Sequence, residues 1–290
     1  MRYAIVGTGM MGREHLANIA HIPESRVVSL VDPNSGSLEL AAQVHGGESQ
    51  TFSNLHDALS GPEFDVVVIA SPNNTHAGVI HEALEHGKHV LVEKPLATTV
   101  QDCRKIERLV ETRPGQVVAV GLEYRFMAPT AWLLDTVRAG ELGNVRMMTI
   151  IEHRFPFLDK VGAWNRFNDN TGGTFVEKCC HFFDLMYQVF RSEPIAVLAS
   201  SAETVNHRDE RYDGREPDIL DNGFVIVEFG GGRRGMLELC MFAEGSRDEQ
   251  YISVVGDKAK AEVRIPSNEC SIGDRRTGSH GVQTKVVQSN

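Results

Sequence analysis

The sequence predicts an α/β chain in two parts: a doubly wound parallel sheet, then an α+β domain with a mostly antiparallel open sheet. Three observations predict it. Up to about residue 121, short apolar runs alternate with helix-like segments. The motif Gly7-Thr8-Gly9-Met10-Met11-Gly12 stands between the first apolar run and the first helix-like segment. Beyond about residue 190, β-like runs succeed one another without intervening helices. The domains expected from this pattern are 1–121 and 122–290.

Tyr3-Ala4-Ile5-Val6 reads as the first strand, and Met11 to Ile19 as the helix after it. In that setting Gly7, Gly9 and Gly12 form a dinucleotide fingerprint. The first permits a tight turn, the second lets backbone approach a pyrophosphate, and the third lets the helix pack on the strand. The helix N-terminus, with Met10 and Met11, offers free N–H groups and partial positive charge to phosphates. The segment is expected to be a Rossmann domain. Arg26 to Val31 reads as the second strand and Asp32 stands at its carboxyl end, roughly 20 residues past the glycines. A carboxylate there accepts from adenine ribose hydroxyls; the plainer reading is a turn aspartate before Pro33. A carboxylate repels a 2′-phosphate, and no Lys or Arg lies between Asp32 and Ala42, so NAD is expected rather than NADP.

Further strands are read at 65–70, 89–92 and 117–121, with helices at 76–87 and 98–112. Ligands of such sheets sit beyond the carboxyl ends of the strands. Gly7, Asp32, Ser71-Pro72-Asn73, Glu93-Lys94 and Glu123-Tyr124-Arg125 all follow strands in this way. In the second part a helix spans about 129–139, a strand begins near Val145, and one helix runs from about Thr174 to Phe190. β-like runs follow at 195–204, 222–229, 234–242, 250–255 and 260–265. His207 to Asp221 reads as an exposed loop, and from Pro266 the chain loses periodicity, so no structure is expected there.

At 290 residues the chain has room for two ordinary domains. Its net charge of −10 argues against a nucleic-acid surface, which needs clustered Lys and Arg. No apolar run approaches the roughly 18 residues of a membrane helix, and residues 1–6 lack a signal-peptide pattern. Five cysteines at irregular spacing point to reduced thiols and a cytoplasmic location. Cys179-Cys180 has no second Cys pair, and no metal site is expected.

With these motifs in hand, the chain resembles the Gfo/Idh/MocA family, the glucose–fructose oxidoreductase and inositol dehydrogenase group. The resemblance rests on Gly7 to Gly12, Ser71-Pro72-Asn73-Asn74-Thr75-His76, Glu93-Lys94-Pro95, Tyr124-Arg125-Phe126, and Gly172-Gly173 followed by Glu177, His181 and Asp184. It implies that Lys94 and His181 work on a substrate hydroxyl while its carbon gives hydride to NAD, the substrate being a polyol, sugar or sugar derivative. It also implies a homodimer or homotetramer built on the second sheet. The family usually has Asp where this chain has Glu177, which leaves the charge but changes the reach. Members usually run longer, with a final helix; none is apparent before Asn290, so a C-terminally shortened second domain is expected.

In a helix from Thr174, Glu177 and His181 are i, i+4 neighbours and Asp184 lies one turn on, giving one polar stripe. The plainer reading is a core histidine satisfied by a carboxylate. His181 suits general-base work near neutral pH, and Lys94 would hold positive charge where alkoxide character develops. Pro95 is expected to follow a cis bond. Ser71, Asn73, His76, Glu93 and Lys94 are cofactor-binding candidates; for Asn73 and His76 turn and capping roles compete. Tyr124, Arg154, Trp164, Asn165, Arg166 and His181 are substrate-pocket candidates on polar loops or that helix. The leading reading is an NAD-dependent dehydrogenase acting on CH–OH. The alternatives are an NAD-dependent glycosidase of the same fold and a non-catalytic dinucleotide-sensing regulator.

Overall fold

The computed structural model describes residues 1–288. Its contacts divide into two compact units: Met1–Gly121 with Lys160–Glu177, and Leu122–Asp159 with the chain from Lys178 onward. The segment Lys160–Glu177, expected in the second part, thus groups with the first.

The first unit carries β1 (Arg2–Val6), α1 (Met10–Ala20), β2 (Arg26–Val31), α2 (Ser35–His45), β3 (Gln50–Phe52), α3 (Leu55–Leu59), β4 (Val66–Ile69), α4 (His76–Glu85), β5 (His89–Val92), α5 (Val100–Glu111) and β6 (Val118–Val120). The strands lie in the order β3-β2-β1-β4-β5-β6, all parallel. Side chains on a strand alternate between faces. Ala4, Val6, Val67 and Ile69 enter one core, with Ile80 and Ala83 of α4. Ile5 and Val68 enter the other, with Leu16 and Ile19 of α1. Both faces are therefore covered, which is why the strands read as unbroken apolar runs. β3, α2 and α3 escaped the sequence pattern. β3 is three residues long, and α2 shows itself through its ends: Asn34 Oδ1 accepts from Ser37 N at 2.9 Å, and Gly46 closes the helix in the left-handed region.

The chain continues through α6 (Ala128–Arg138) and β7 (Val145–His153) in the second unit, and α7 (Asn168–Thr171) and α8 (Thr174–Glu177) in the first. The second unit resumes with α9 (Cys180–Phe190), β8 (Pro194–Ala202), β9 (Asn222–Phe229), β10 (Arg233–Cys240), β11 (Gln250–Gly256), β12 (Ala259–Ile265), β13 (Glu269–Asp274) and β14 (Val282–Val286). Its sheet has the order β14-β13-β12-β11-β7-β10-β9-β8 and is antiparallel except where β10 runs parallel to β7. α6 packs on β12 and β13, and α9 on β7 and β10. Strict alternation of burial along β9 shows one sheet face covered and the other open. No helix among the described residues is long and apolar enough to cross a membrane.

Two expectations are corrected. The single helix from Thr174 to Phe190 is two, broken at Lys178 and Cys179, so the shared stripe of Glu177, His181 and Asp184 does not exist. Adjacent Glu177 and Lys178 are both buried and each is drawn to a different partner set, which overrides the local helical preference. The chain beyond Pro266 is also ordered into β13 and β14, because β12 offers a free ladder to pair with and Cys270 is buried against the sheet.

Candidate active site

The turn after β1 is shaped by close backbone approach. Gly7 has φ of 89°, and a Cβ there would lie 2.4 Å from Ser71 N; one on Gly12 would lie 1.9 Å from Gly7 O. Over Gly9 a Cβ would meet nothing within 4 Å, and no side chain caps α1. The N-terminus of α1 therefore presents bare backbone toward open space, as a pyrophosphate requires. Asp32 accepts from Thr8 N at 2.8 Å and from Asn34 N at 2.8 Å, which fixes its carboxylate beside the glycine turn. These residues fit a dinucleotide, for which Gly9, Met10 and Met11 would hold the phosphates and Asp32 the ribose. His15 Nε2 meets Glu93 Oε1 at 2.7 Å. Burial pushes the Glu93 carboxyl up, but His15 and Lys94 outweigh it and hold it below the usual carboxylate range.

At the carboxyl ends of β4 and β5 lies an ionic group in which Asn73 and Glu177 are buried and Lys94 is half-buried. Lys94 Nζ donates to Glu177 O at 3.1 Å and contacts Glu177 Oε1 at 3.4 Å. Asn73 Nδ2 donates to Glu177 Oε2 and, at 3.3 Å, to Thr171 O. Glu177 is 7% exposed, and these partners occupy its carboxylate where water does not. The Lys94–Pro95 bond is cis. Lys160, which no motif singled out, stands in the field of Glu177, Lys94 and Glu93, and burial lowers its pKa. His76 has no exposed surface; its ring nitrogens lie 2.8 Å from Pro95 O and 3.0 Å from Ser71 O, and burial lowers its pKa. It braces the two loops from beneath. Ser71 Oγ shares a hydrogen bond with Thr75 Oγ1 at 2.6 Å. Trp164, Asn165 and Arg166 lie in a 3-10 turn rather than an open polar loop, and Asn165 and Arg166 are buried. Trp164 contributes its carbonyl to Asn170 Nδ2 at 3.0 Å.

The second unit builds a different arrangement around His181, near the start of α9. The imidazole stacks on the Tyr124 ring with centroids 4.2 Å apart and planes 9° from parallel. Tyr124 is buried, and its hydroxyl accepts from Lys178 Nζ and Gln250 Nε2, both at 2.9 Å. Lys178 Nζ lies 2.8 Å from Glu152 Oε1, a carboxylate with no exposed surface. Gln250 and Glu152 are direct partners across β11 and β7. Arg154 contacts Glu152 at 3.4 Å and lies over the Phe155 ring. His181 Nε2 is 3.4 Å from Glu123 Oε1, whose side chain is 59% exposed. Arg125 grips Asp184 with Nε at 2.5 Å from Oδ2 and Nη2 on Oδ1. Sequence reasoning missed Lys178, Glu152 and Gln250. A signal existed for Glu152: it falls in step with buried Met148 and Ile150 on β7, where a lone carboxylate needs a cation.

The glycine turn, bare of side chains at the start of α1, and the Asp32 carboxylate beside it make the first unit ready for a dinucleotide. Models of the two Gfo/Idh/MocA oxidoreductase domains match the chain, the NAD-binding Rossmann fold over residues 1–122 and the C-terminal alpha/beta domain over residues 135–288. The chain belongs to this family, and its first part is an NAD-binding domain. It is 30% identical over 264 residues to inositol 2-dehydrogenase from Salmonella paratyphi B, covering 91% of this chain and 74% of that protein. It is 27% identical over 278 residues to scyllo-inositol 2-dehydrogenase (NAD(+)) from Bacillus subtilis, covering 95% and 75%. The fold matches the WlbA dehydrogenase from Bordetella pertussis, solved with NADH and UDP-GlcNAcA, with a TM-score of 0.79 and 24% identity over 91% of this chain and 79% of that one.

Proposed function

We propose that the protein oxidises a hydroxyl-bearing carbon of a polyol, sugar or sugar derivative, with residues 1–121 binding NAD and residues 122–290 binding substrate and forming the oligomer. NAD, when bound, supplies the hydride acceptor. The hydroxyl proton moves to the imidazole of His181, whose ordinary pKa suits it to accept at neutral pH. Lys94 places a positive charge at the oxygen as alkoxide character develops. Glu177 holds that ammonium in position, and Asn73 holds Glu177 in position. The observation that carries this reading is the Lys94–Glu177–Asn73 group at the carboxyl ends of β4 and β5. In the second unit, the Tyr124 ring restricts how the His181 imidazole can turn. Substrate candidates beyond these are Tyr124, Arg154, Trp164, Asn165 and Arg166.

The test is NADH absorbance with the purified protein across polyols and sugars. Net NADH from at least one of them is expected. Release of an alcohol from a glycoside without net NADH would replace this reading by the glycosidase, and cofactor binding without turnover by the regulator. Asp32 should make NADH bind at least about tenfold more tightly than NADPH, roughly 1.4 kcal/mol; a fluorescence titration giving equal binding would overturn that preference. The open sheet face exposes Leu198, Phe224 and Ile226, an apolar surface suited to a second copy, so a homodimer or homotetramer is expected. A 32.0 kDa particle by light scattering at micromolar concentration would refute it. A cytoplasmic location accords with five free cysteines.

A further inference from the structure

Four arginines of this acidic chain line one cleft. Arg138, Arg146, Arg191 and Arg233 surround a space of about 870 Å³ in the second unit, and no carboxylate is among the lining residues. The cleft forms where α6 and α9 end, β7 begins, and the Gly230–Gly232 turn joins β9 to β10. Helix C-termini attract cations, so some basic character is expected there. Two of the arginines meet that need. Arg138 pairs with Asp135 of its own helix at 3.1 Å. Arg233 donates to Phe190 O at 2.9 Å and Gly230 O at 2.7 Å, tying the end of α9 to the turn.

The other two exceed it. Arg146 makes one long hydrogen bond, 3.4 Å to Gly231 O, and is in the field of Asp257, whose carboxylate is already held by Asn144 N and Nδ2. The Arg191 guanidinium has no hydrogen-bond or ion-pair partner among the described residues. Both are exposed, and Arg191 projects from a left-handed backbone position at φ of 45° that ends α9. Like charges gathered in one concavity repel one another and raise the local concentration of anions. Guanidinium groups present paired N–H donors that match two oxygens of one oxyanion.

We propose that this cleft binds a small, multiply charged oxyanion, with Arg146 and Arg191 as its principal ligands and Arg138 and Arg233 completing the field. The ligand is distinct from the substrate: Arg191 stands ten residues along α9 from His181, roughly 15 Å of helix. A phosphorylated metabolite and a polycarboxylate share the required chemistry.

Inorganic pyrophosphate and citrate separate these sources. Each is titrated calorimetrically into the full chain saturated with NADH, which occupies the nucleotide phosphate site, in about 0.15 M salt to screen loose attraction. At least one probe should bind saturably with Kd below about 1 mM. Replacing Arg146→Gln and Arg191→Gln together should weaken it at least about tenfold. Arg191→Asn alone, which tolerates the left-handed backbone, should give an intermediate loss. Substitution of exposed Arg104→Gln and Arg108→Gln on α5 should leave binding unchanged. Absence of saturable binding by both probes, or equal affinity in the cleft variants, or an equal loss in the α5 control, would overturn the proposal.

Discussion

In the first unit the cation we propose for the chemistry is positioned by charge: Lys94 lies against Glu177, and Glu177 is itself held by the Asn73 amide. In the second unit the proposed base is positioned by shape: His181 lies flat on Tyr124, whose hydroxyl is anchored by Lys178 and Gln250. Consecutive residues serve the two arrangements, Glu177 the first and Lys178 the second. The difference teaches that a charged side chain can orient a reacting group without touching it. Lys178 acts on His181 only through a ring, whereas Glu177 acts on Lys94 directly.

The largest expected effect comes from breaking the second arrangement at its buried ion pair. Lys178→Met leaves Glu152 with no exposed surface and without its nearest cation. Stability should fall by about 3–5 kcal/mol, as for other buried pairs that lose one partner. Urea unfolding measures it, and a loss under about 1 kcal/mol would mean that Arg154 alone satisfies Glu152. Next comes Glu177→Gln, which keeps shape and removes charge beside Lys94. Loss of a charged hydrogen bond is worth about 1.5–3 kcal/mol, so turnover should drop roughly ten- to hundredfold with the fold intact. Glu177→Asp should fall between the two; wild-type turnover in the Gln variant would detach Glu177 from the chemistry.

The smallest effect concerns His76. Burial lowers its pKa below the ordinary 6.5, so the unfolded chain binds a proton that the folded chain resists. Between those two values the unfolded state holds more protons, and stability therefore falls as pH drops below about 6.5. His76→Gln should flatten that part of the stability–pH curve. An unchanged slope would assign the acid sensitivity to other groups.

Much of this was legible because local rules agreed with the global fold. Gly7, Gly9, Gly12 and Asp32 announce the nucleotide turn through spacing that backbone geometry demands. The covered strands of the first sheet betray themselves by continuous apolar runs. What could not be read depended on distant partners. Nothing local separates Glu177 from Lys178, since the helix break between α8 and α9 follows from the different partners each one meets. β14 has exposed residues throughout and forms because β13 offers it a ladder. Asn165 and Arg166 have the composition of polar loop residues, and only packing reveals them as buried. The Tyr124 hydroxyl is engaged by Lys178 and Gln250, partners more than fifty residues away that no local pattern names.

The central claim is that Lys94 and His181 carry the chemistry while the glycine turn and Asp32 carry the cofactor. Kinetics and NADH titration on His181→Ala and Lys94→Ala, with a substrate that yields NADH, test it most directly. Each variant should lose about 10²–10⁴ in turnover, the usual worth of a positioned acid–base or electrostatic group, and bind NADH almost as the wild type does. Near-wild-type turnover in His181→Ala would contradict the account and return that histidine to a packing role beside Tyr124.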